Sequence, residues 1–191
     1  MMGVRIQGGR VIDPANKIDA VKDVYIDSTG FIAAVGKVPD GFQVERTIDA
    51  RGRIVCPGLI DLRARLREPG LEHKATIESE TRAAVAAGIT TLCCPPDTDP
   101  VTDTPAMSQM IPSCAWRFGL AFIHPLGALT RGLEGKLLTD MAALEEAGCV
   151  GVSNALEPVT DTLVLRRAME YAATFGLTVH LHAEDPWLRN S

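Results

Sequence analysis

Residues 57–70 read PGLIDLRARLREPG, and the rhythm of the chain changes at this point. The apolar run that begins at Leu59 and closes on Asp61 looks like a short strand. Along a strand, positions 61, 63 and 65 share a face. Asp61, Arg63 and Arg65 are therefore expected together at the C-terminal mouth of a parallel sheet, where active sites of such folds lie. Downstream, apolar strand-like runs begin near Leu59, Ile89, Phe118, Cys149 and Leu177, 28 to 31 residues apart. Helical patterns lie between them. Residues 76–87 stop at Gly88, residues 137–147 at Gly148, and residues 161–175 at Gly176 after a predicted N-cap at Thr160. A further helix over 105–115 is weakened by Pro112. A strand–helix unit repeated at this spacing predicts an α/β fold with a parallel sheet and crossover helices.

These lengths fit an open doubly wound sheet or a (β/α)8 barrel. No GxGxxG or GxxxxGK[ST] is present to support a nucleotide-binding open sheet. A full barrel takes ~250 residues. Four complete units and a fifth strand therefore predict either an open sheet or the front half of a longer protein.

Upstream, residues 3–56 read as short antiparallel strands. Gly8-Gly9 suggests a hairpin between residues 4–7 and 10–12. Ser28-Thr29-Gly30 suggests a second hairpin between residues 24–27 and 31–35, and Asp13-Pro14-Ala15-Asn16 reads as a turn. Two segments are expected: a small N-terminal β-sandwich segment over 1–56, and the barrel portion over 57–191.

Composition narrows the function classes. The chain has 191 residues, 46% hydrophobic and 23% charged, an ordinary globular balance that excludes global disorder. Its net charge of −5 argues against nucleic-acid and anionic-membrane partners. No apolar run approaches the ~18 residues of a membrane span. The start, MMGVRIQGG, lacks the basic and apolar regions of a secretory signal, so a cytoplasmic location is expected. The five cysteines include no CxxC pair and are expected to be buried, reduced thiols.

Four histidines are available: His73, His124, His180 and His182. A hydrolytic zinc site needs at least three N, O or S ligands and an open position for water. His180 and His182 are expected on one strand face, His124 at the sheet mouth after the third strand, and His73 in solvent. Hydrogen bonding is the expected role of this set rather than metal binding. Glu184 and Asp185 read as loop or helix-start charges, because neighbours in an extended segment point apart. Asp97 and Asp99 lie in a proline-rich turn. Turn chemistry explains both, and Asp97 is equally suited to accept hydrogen bonds from an arginine.

The frame PGLIDLRARLREPG resembles the PGLIDxHxHLREPG signature of class I dihydroorotases, in the amidohydrolase superfamily. The likeness runs along the chain. GGRVIDPAN and DVYID…GFIAAVG resemble the family's N-terminal β segment. AAVAAGITTLCCPPDTDPVTD resembles its AAxAGGxTTVxxMPNTxP stretch. GALTRGLEGKLLTDMAALEEAGCVGVSNALEPV resembles the run into SDDG or TDDG, and HLHAEDP resembles HCEDP. The resemblance implies an amidohydrolase-type (β/α)8 barrel, of which this chain holds the N-terminal half, a zinc-dependent cyclic amidase activity, and a place in pyrimidine biosynthesis.

Departures from the family pattern fall at the metal positions. Arg63 and Arg65 stand where the resemblance places two histidine ligands. A guanidinium has no lone pair to donate and stays protonated, so neither can bind a metal. Ser153-Asn154-Ala155-Leu156 occupies the SDDG position, so an amide or a methyl replaces the ligand carboxylate. His182 still matches a ligand position. Arg67 matches the substrate-carboxylate binder, and Asp97 replaces an Asn that helps hold substrate. An ion network of Arg63 and Arg65 with Asp61, Asp97 and Glu184 is expected to fill the emptied site.

The resemblance therefore implies a dihydroorotase-like protein without hydrolase activity, with no catalytic residue and no cofactor. Its expected partner is an aspartate carbamoyltransferase subunit, a second copy of the chain, or the missing C-terminal half of the barrel. The alternatives are an active zinc-dependent dihydroorotase with unusual ligands, and a pseudoenzyme in which Arg67 still grips a carboxylate.

Overall fold

The computed structural model describes residues 2–188. Met1 and residues 189–191, the outer ends of the two expected segments, lie outside the described residues. The chain divides into two compact units, Met1–Pro57 and Gly58–Ser191.

The first unit is one five-stranded mixed sheet, not a pair of packed sheets, among the described residues. Its strands are β1 (Met2–Asp13), β2 (Ile18–Asp27), β3 (Ile32–Val35), β4 (Gln43–Asp49) and β5 (Ile54–Val55). β1 pairs antiparallel with β2, and β2 with β3, across the turns expected at residues 13–16 and 28–30. β4 and β5, by contrast, run parallel to β1. The hairpin expected at Gly8-Gly9 is absent, because β1 passes straight through as a β-bulge. The register steps from Ile6↔Val24 to Gly9↔Lys22, so Gln7 and Gly8 together oppose Asp23. Gly8 has φ +69°, a conformation that glycine adopts without strain. Asp23 locks the bulge, since one carboxylate oxygen accepts the Gly8 N–H at 2.8 Å and the other accepts both Arg5 donors at 2.9 and 2.6 Å. The Gly8 N–H, with Arg5 beside it, holds the Asp23 carboxyl below its ordinary range.

The second unit is a five-stranded parallel sheet: β6 (Leu59–Asp61), β7 (Ile89–Cys94), β8 (Phe122–Ala128), β9 (Gly151–Ser153) and β10 (Thr178–His180). The strands lie in sequential order, with none stepping back past the first. A doubly wound sheet reverses its order so that helices cover both faces. Sequential right-handed crossovers instead place every helix on one face, the arrangement of a (β/α)8 barrel. The crossovers carry α1 (Ile77–Ala86), α2 (Pro105–Trp116), α3 (Met141–Glu146) and α4 (Thr162–Thr174).

Local chemistry sets these helices. Thr76 and Ser79 cap α1 reciprocally, Thr76 Oγ1 accepting the Ser79 N–H and Ser79 Oγ the Thr76 N–H. Asp161, one residue beyond the expected Thr160, caps α4 by accepting from Leu163 and Val164. α3 is shorter than expected. Asp140 caps it, while Leu138 is drawn into a bridge with Thr130. Pro112 lies inside α2 without ending it. The third and fourth strands begin at Phe122 and Gly151, a few residues later than the apolar pattern suggests. Two buried clusters join sheet to helices. One centres on Leu66, Ile77, Leu92, Ile111 and Ile123, the other on Leu129, Met141, Val152, Ala168 and Ala172. Ala168 and Ala172, four residues apart on α4, are fully buried and allow close helix–sheet approach. Among the described residues no helix is long and apolar enough to cross a membrane.

Candidate functional site

The C-terminal ends of the parallel strands gather the residues that the sequence singles out. β6 stops at Asp61, so positions 61, 63 and 65 do not continue along one strand face. Asp61 Oδ1 accepts the Arg63 N–H at 2.8 Å, and this side-chain turn takes the chain out of the sheet. The Ala64 N–H then donates to the Cys93 carbonyl at 2.9 Å, which lays the arginine loop over the end of β7. Leu66, 1% exposed, anchors the loop in the core.

The expected ion network forms only in part. Arg65 Nε lies 2.7 Å from Asp97 Oδ2, and both side chains are 26% exposed. The Nε–H does not point at the oxygen, so the contact is an ion pair and not a directed hydrogen bond. Asp61 is engaged by backbone. Glu184 Oε2 lies 3.5 Å from His182 Nε2. Arg63 makes no ion pair among the described residues.

Arg67 and Asp97, the candidate substrate-binding residues, border one recess together with Arg65, Leu66, Cys94 and Thr98. Its volume of about 10 Å³ holds at most a single water molecule. Arg67 has φ +65°, and its carbonyl accepts the Leu71 N–H at 2.8 Å. Beneath the recess, burial pushes the Cys94 thiol up to about 12. Glu68 Oε2 accepts the Ile77 N–H at 2.7 Å, so the loop's own carboxylate completes the first turn of α1. Sequence spacing carries no signal for this contact, because the partners are nine residues apart across an irregular loop.

At the end of β9 the chain turns inward. Asn154 is 2% exposed. Its Oδ1 accepts from Thr130 Oγ1 at 2.6 Å, and its Nδ2 donates to the carbonyls of Leu133 at 3.2 Å and Glu157 at 2.9 Å. Thr130 Oγ1 also accepts the Gly135 N–H at 2.9 Å. Ser153 Oγ donates to the His180 carbonyl at 2.9 Å and accepts the Ala155 N–H at 3.0 Å, tying β9 to β10. Thr130 and the loop that follows it were not singled out by sequence.

The histidines are dispersed. His124 lies within β8, opposite Cys93, and not in a loop at the mouth. β10 ends at His180, so His182 does not share a strand face with it. His73 is exposed in a turn. Asp185 Oδ1 accepts the Trp187 N–H at 2.7 Å in a turn of its own. Arg63, Ser153 and His180 border a cavity of about 120 Å³, with Leu126, Ala155 and Leu181 among its walls.

The zinc ion implied by the resemblance does not fit these donors. Two of its positions carry guanidinium groups, and a third is an amide whose atoms are all committed to protein partners. No group of three or more His, Cys, Asp or Glu among the described residues converges on a metal position.

The profile of dihydro-orotase-like proteins matches residues 52–191. The chain is 49% identical over 184 residues to a "Dihydroorotase-like protein" of Pseudomonas aeruginosa, covering 96% of this chain and 43% of that protein. It is 45% identical over 184 residues to a "Dihydroorotase" of Geobacter metallireducens, with the same coverage. The chain thus spans 43% of the length of these relatives. Among solved structures, L-hydantoinase (dihydropyrimidinase) from Arthrobacter aurescens superposes with a TM-score of 0.80 at 22% identity, over 97% of this chain and 41% of that one. A crystal structure of a dihydroorotase gives 0.60 at 16% identity, over 96% and 51%. These likenesses establish the barrel-type fold, and the profile match with the sequence relatives establishes the lineage: the chain belongs to the dihydroorotase-like family.

Proposed function

We propose that this chain is part of a dihydroorotase-like protein that does not itself hydrolyse dihydroorotate and that serves pyrimidine biosynthesis by supporting assembly with aspartate carbamoyltransferase. One observation carries the reading. Guanidinium groups stand at both positions where the family resemblance places metal-binding imidazoles, and a guanidinium cannot donate a lone pair. The engaged amide of Asn154 adds to it, as does the "Dihydroorotase-like protein" wording used for relatives in Pseudomonas aeruginosa and Pseudomonas putida.

The assembly role rests on the family resemblance and on the state of the sheet. β6 and β10 each have one strand neighbour among the described residues. Leu59, Ile60, Leu62 and Leu181 are 47 to 62% exposed along these ends. Unpaired edges with apolar side chains call for a covering partner. The remainder of a longer barrel is the first such cover, with the transferase on the outside of the completed molecule.

The second reading, an active zinc-dependent dihydroorotase, is favoured by relatives at 43 to 46% identity whose names are simply "Dihydroorotase". Three measurements on the full-length protein separate the two: dihydroorotate turnover, zinc content after dialysis, and co-purification with the transferase. Background turnover, substoichiometric zinc and a stable complex are expected. Turnover with about one zinc per chain would establish the second reading.

A further inference from the structure

We propose that the cavity between Arg63, Ser153 and His180 is a binding site for a small monocarboxylate with a short apolar stem, so that a position given to a cation in metal-bearing relatives holds an anion here. The inference rests on the reading that this chain has lost its metal site. It adds what the changed site binds.

Arg63 brings a guanidinium to the loop after β6. Its backbone N–H is fixed by Asp61, yet its guanidinium makes no ion pair among the described residues. Arg65, two residues on, is paired with Asp97. Arg63 is therefore the cation of this pair of substitutions that still has its charge to offer.

Shape comes next. Among the described residues Arg63 borders a larger and a smaller hollow. The larger, about 370 Å³, also has Arg65, Asp61 and Glu80 in its lining; Arg65 is paired with Asp97, and the two carboxylates repel an anion. The smaller, about 120 Å³, has no acidic residue in its lining. Its second polar side chain is the His180 imidazole. Ser153 Oγ is occupied by the His180 carbonyl and the Ala155 N–H, and so forms a polar but satisfied floor. The remaining walls are Leu62, Leu126, Ala155 and Leu181.

The ligand class follows from that lining. A guanidinium matches the two oxygens of a carboxylate in one plane. Apolar walls favour a short hydrocarbon stem over a second charged group. A phosphate dianion would need more donors than one guanidinium and one imidazole, since each unpaired oxygen against leucine is costly. This site is separate from the recess at Arg67, which is too small to admit a carboxylate group.

The test uses the full-length protein, with its zinc content measured on the same sample. Propionate is titrated by calorimetry, with propionamide as the neutral isostere and inorganic phosphate as the other anion. Saturable propionate binding in the range of about 1 mM is expected. Propionamide and phosphate should each bind at least tenfold more weakly. Arg63→Gln should weaken propionate at least tenfold and Arg63→Lys by less, while Arg67→Gln should leave it within twofold. Arg63→Lys retains the charge and keeps the test usable where Arg63→Gln does not fold.

Metal-free protein without saturable propionate binding would overturn the site and leave the loss of metal standing; this includes the case in which a carboxylate of the longer chain already occupies Arg63. Binding that vanishes in Arg67→Gln and persists in Arg63→Gln would also overturn it. Stoichiometric zinc would overturn both this proposal and the reading beneath it.

Discussion

The loop after β6 and the loop after β9 both carry residues that depart from the motif the family resemblance implies, and the fold treats them in opposite ways. Arg63 and Arg65 stand on a partly exposed loop, where Arg65 is paired with Asp97 and Arg63 makes no ion pair among the described residues. Asn154 is sealed inside, with three protein partners for its one acceptor and two donated bonds. A change at the surface leaves a site that can take a new ligand. A change in the interior becomes part of the scaffold. Reversing the two should therefore have different consequences.

The largest effect is expected at the buried position. Asn154→Asp restores a family-like carboxylate but removes the donors to Leu133 and Glu157 and introduces a buried charge. A loss of about 3 kcal/mol is expected, read from the urea midpoint. A variant as stable as the parent would show that Asn154 is not part of the scaffold and would dissolve the contrast.

The paired arginines should behave differently. Arg63→His with Arg65→His should leave stability within about 1 kcal/mol, because Arg63 is exposed and the Arg65–Asp97 pair is partly exposed. The double variant should still show background turnover of dihydroorotate, since the β9 loop supplies no carboxylate and groups that act together are strongly non-additive. Turnover well above background would mean that the metal site needs nothing from Asn154.

Breaking the Arg65–Asp97 pair sharpens the comparison on a smaller scale. Asp97→Asn should cost at most about 1 kcal/mol, the range of a partly exposed pair. It should, however, loosen the lid over Cys94. With its thiol pushed up to about 12 by burial, Cys94 should resist alkylation at pH 8 in the parent, while exposed Cys56 reacts. Faster Cys94 labelling in Asp97→Asn, at unchanged Cys56 labelling, is expected. Equal Cys94 rates would show that the pair does not hold the loop.

The smallest effect lies away from both loops, at the β1 bulge. The folded Asp23 carboxyl sits below its ordinary 3.8, so the folded state binds its proton less readily than the unfolded chain. Its stabilising contribution is complete above the unfolded value and is lost as pH falls below it through the folded one. Asp23→Asn should flatten this acid limb of the stability curve while leaving propionate binding unchanged. An acid limb identical in parent and variant would place the acid-sensitive group elsewhere.

Much of the architecture was legible along the chain because periodicity is a local property. The spacing of apolar runs marks five parallel strands, and the glycines at 88, 148 and 176 mark helix ends. The same local reading failed at Gly8-Gly9, where a paired glycine suggests a hairpin and the structure has a bulge. The difference lies in Asp23, whose carboxylate lies across the sheet and accepts the Gly8 N–H. It failed again at Arg63 and Arg65. Alternation puts them on one strand face, but β6 ends two residues earlier because Asp61 captures the next free N–H with its side chain.

That arginines stand at 63 and 65 and an asparagine at 154 is a property of the sequence alone, and so is the lack of a donor lone pair on each guanidinium, because lone pairs belong to residue types and not to conformations. The tertiary structure alone decided what those residues do instead. Arg65 meets Asp97 across 32 residues of chain, Arg63 lies beside His180 without an ion pair among the described residues, and Asn154 joins Thr130 and Leu133 across gaps of 24 and 21 residues. The physical reason is that hydrogen bonds and ion pairs act over a few ångströms of space, and only the stacking of successive strand–helix units brings such distant residues that close.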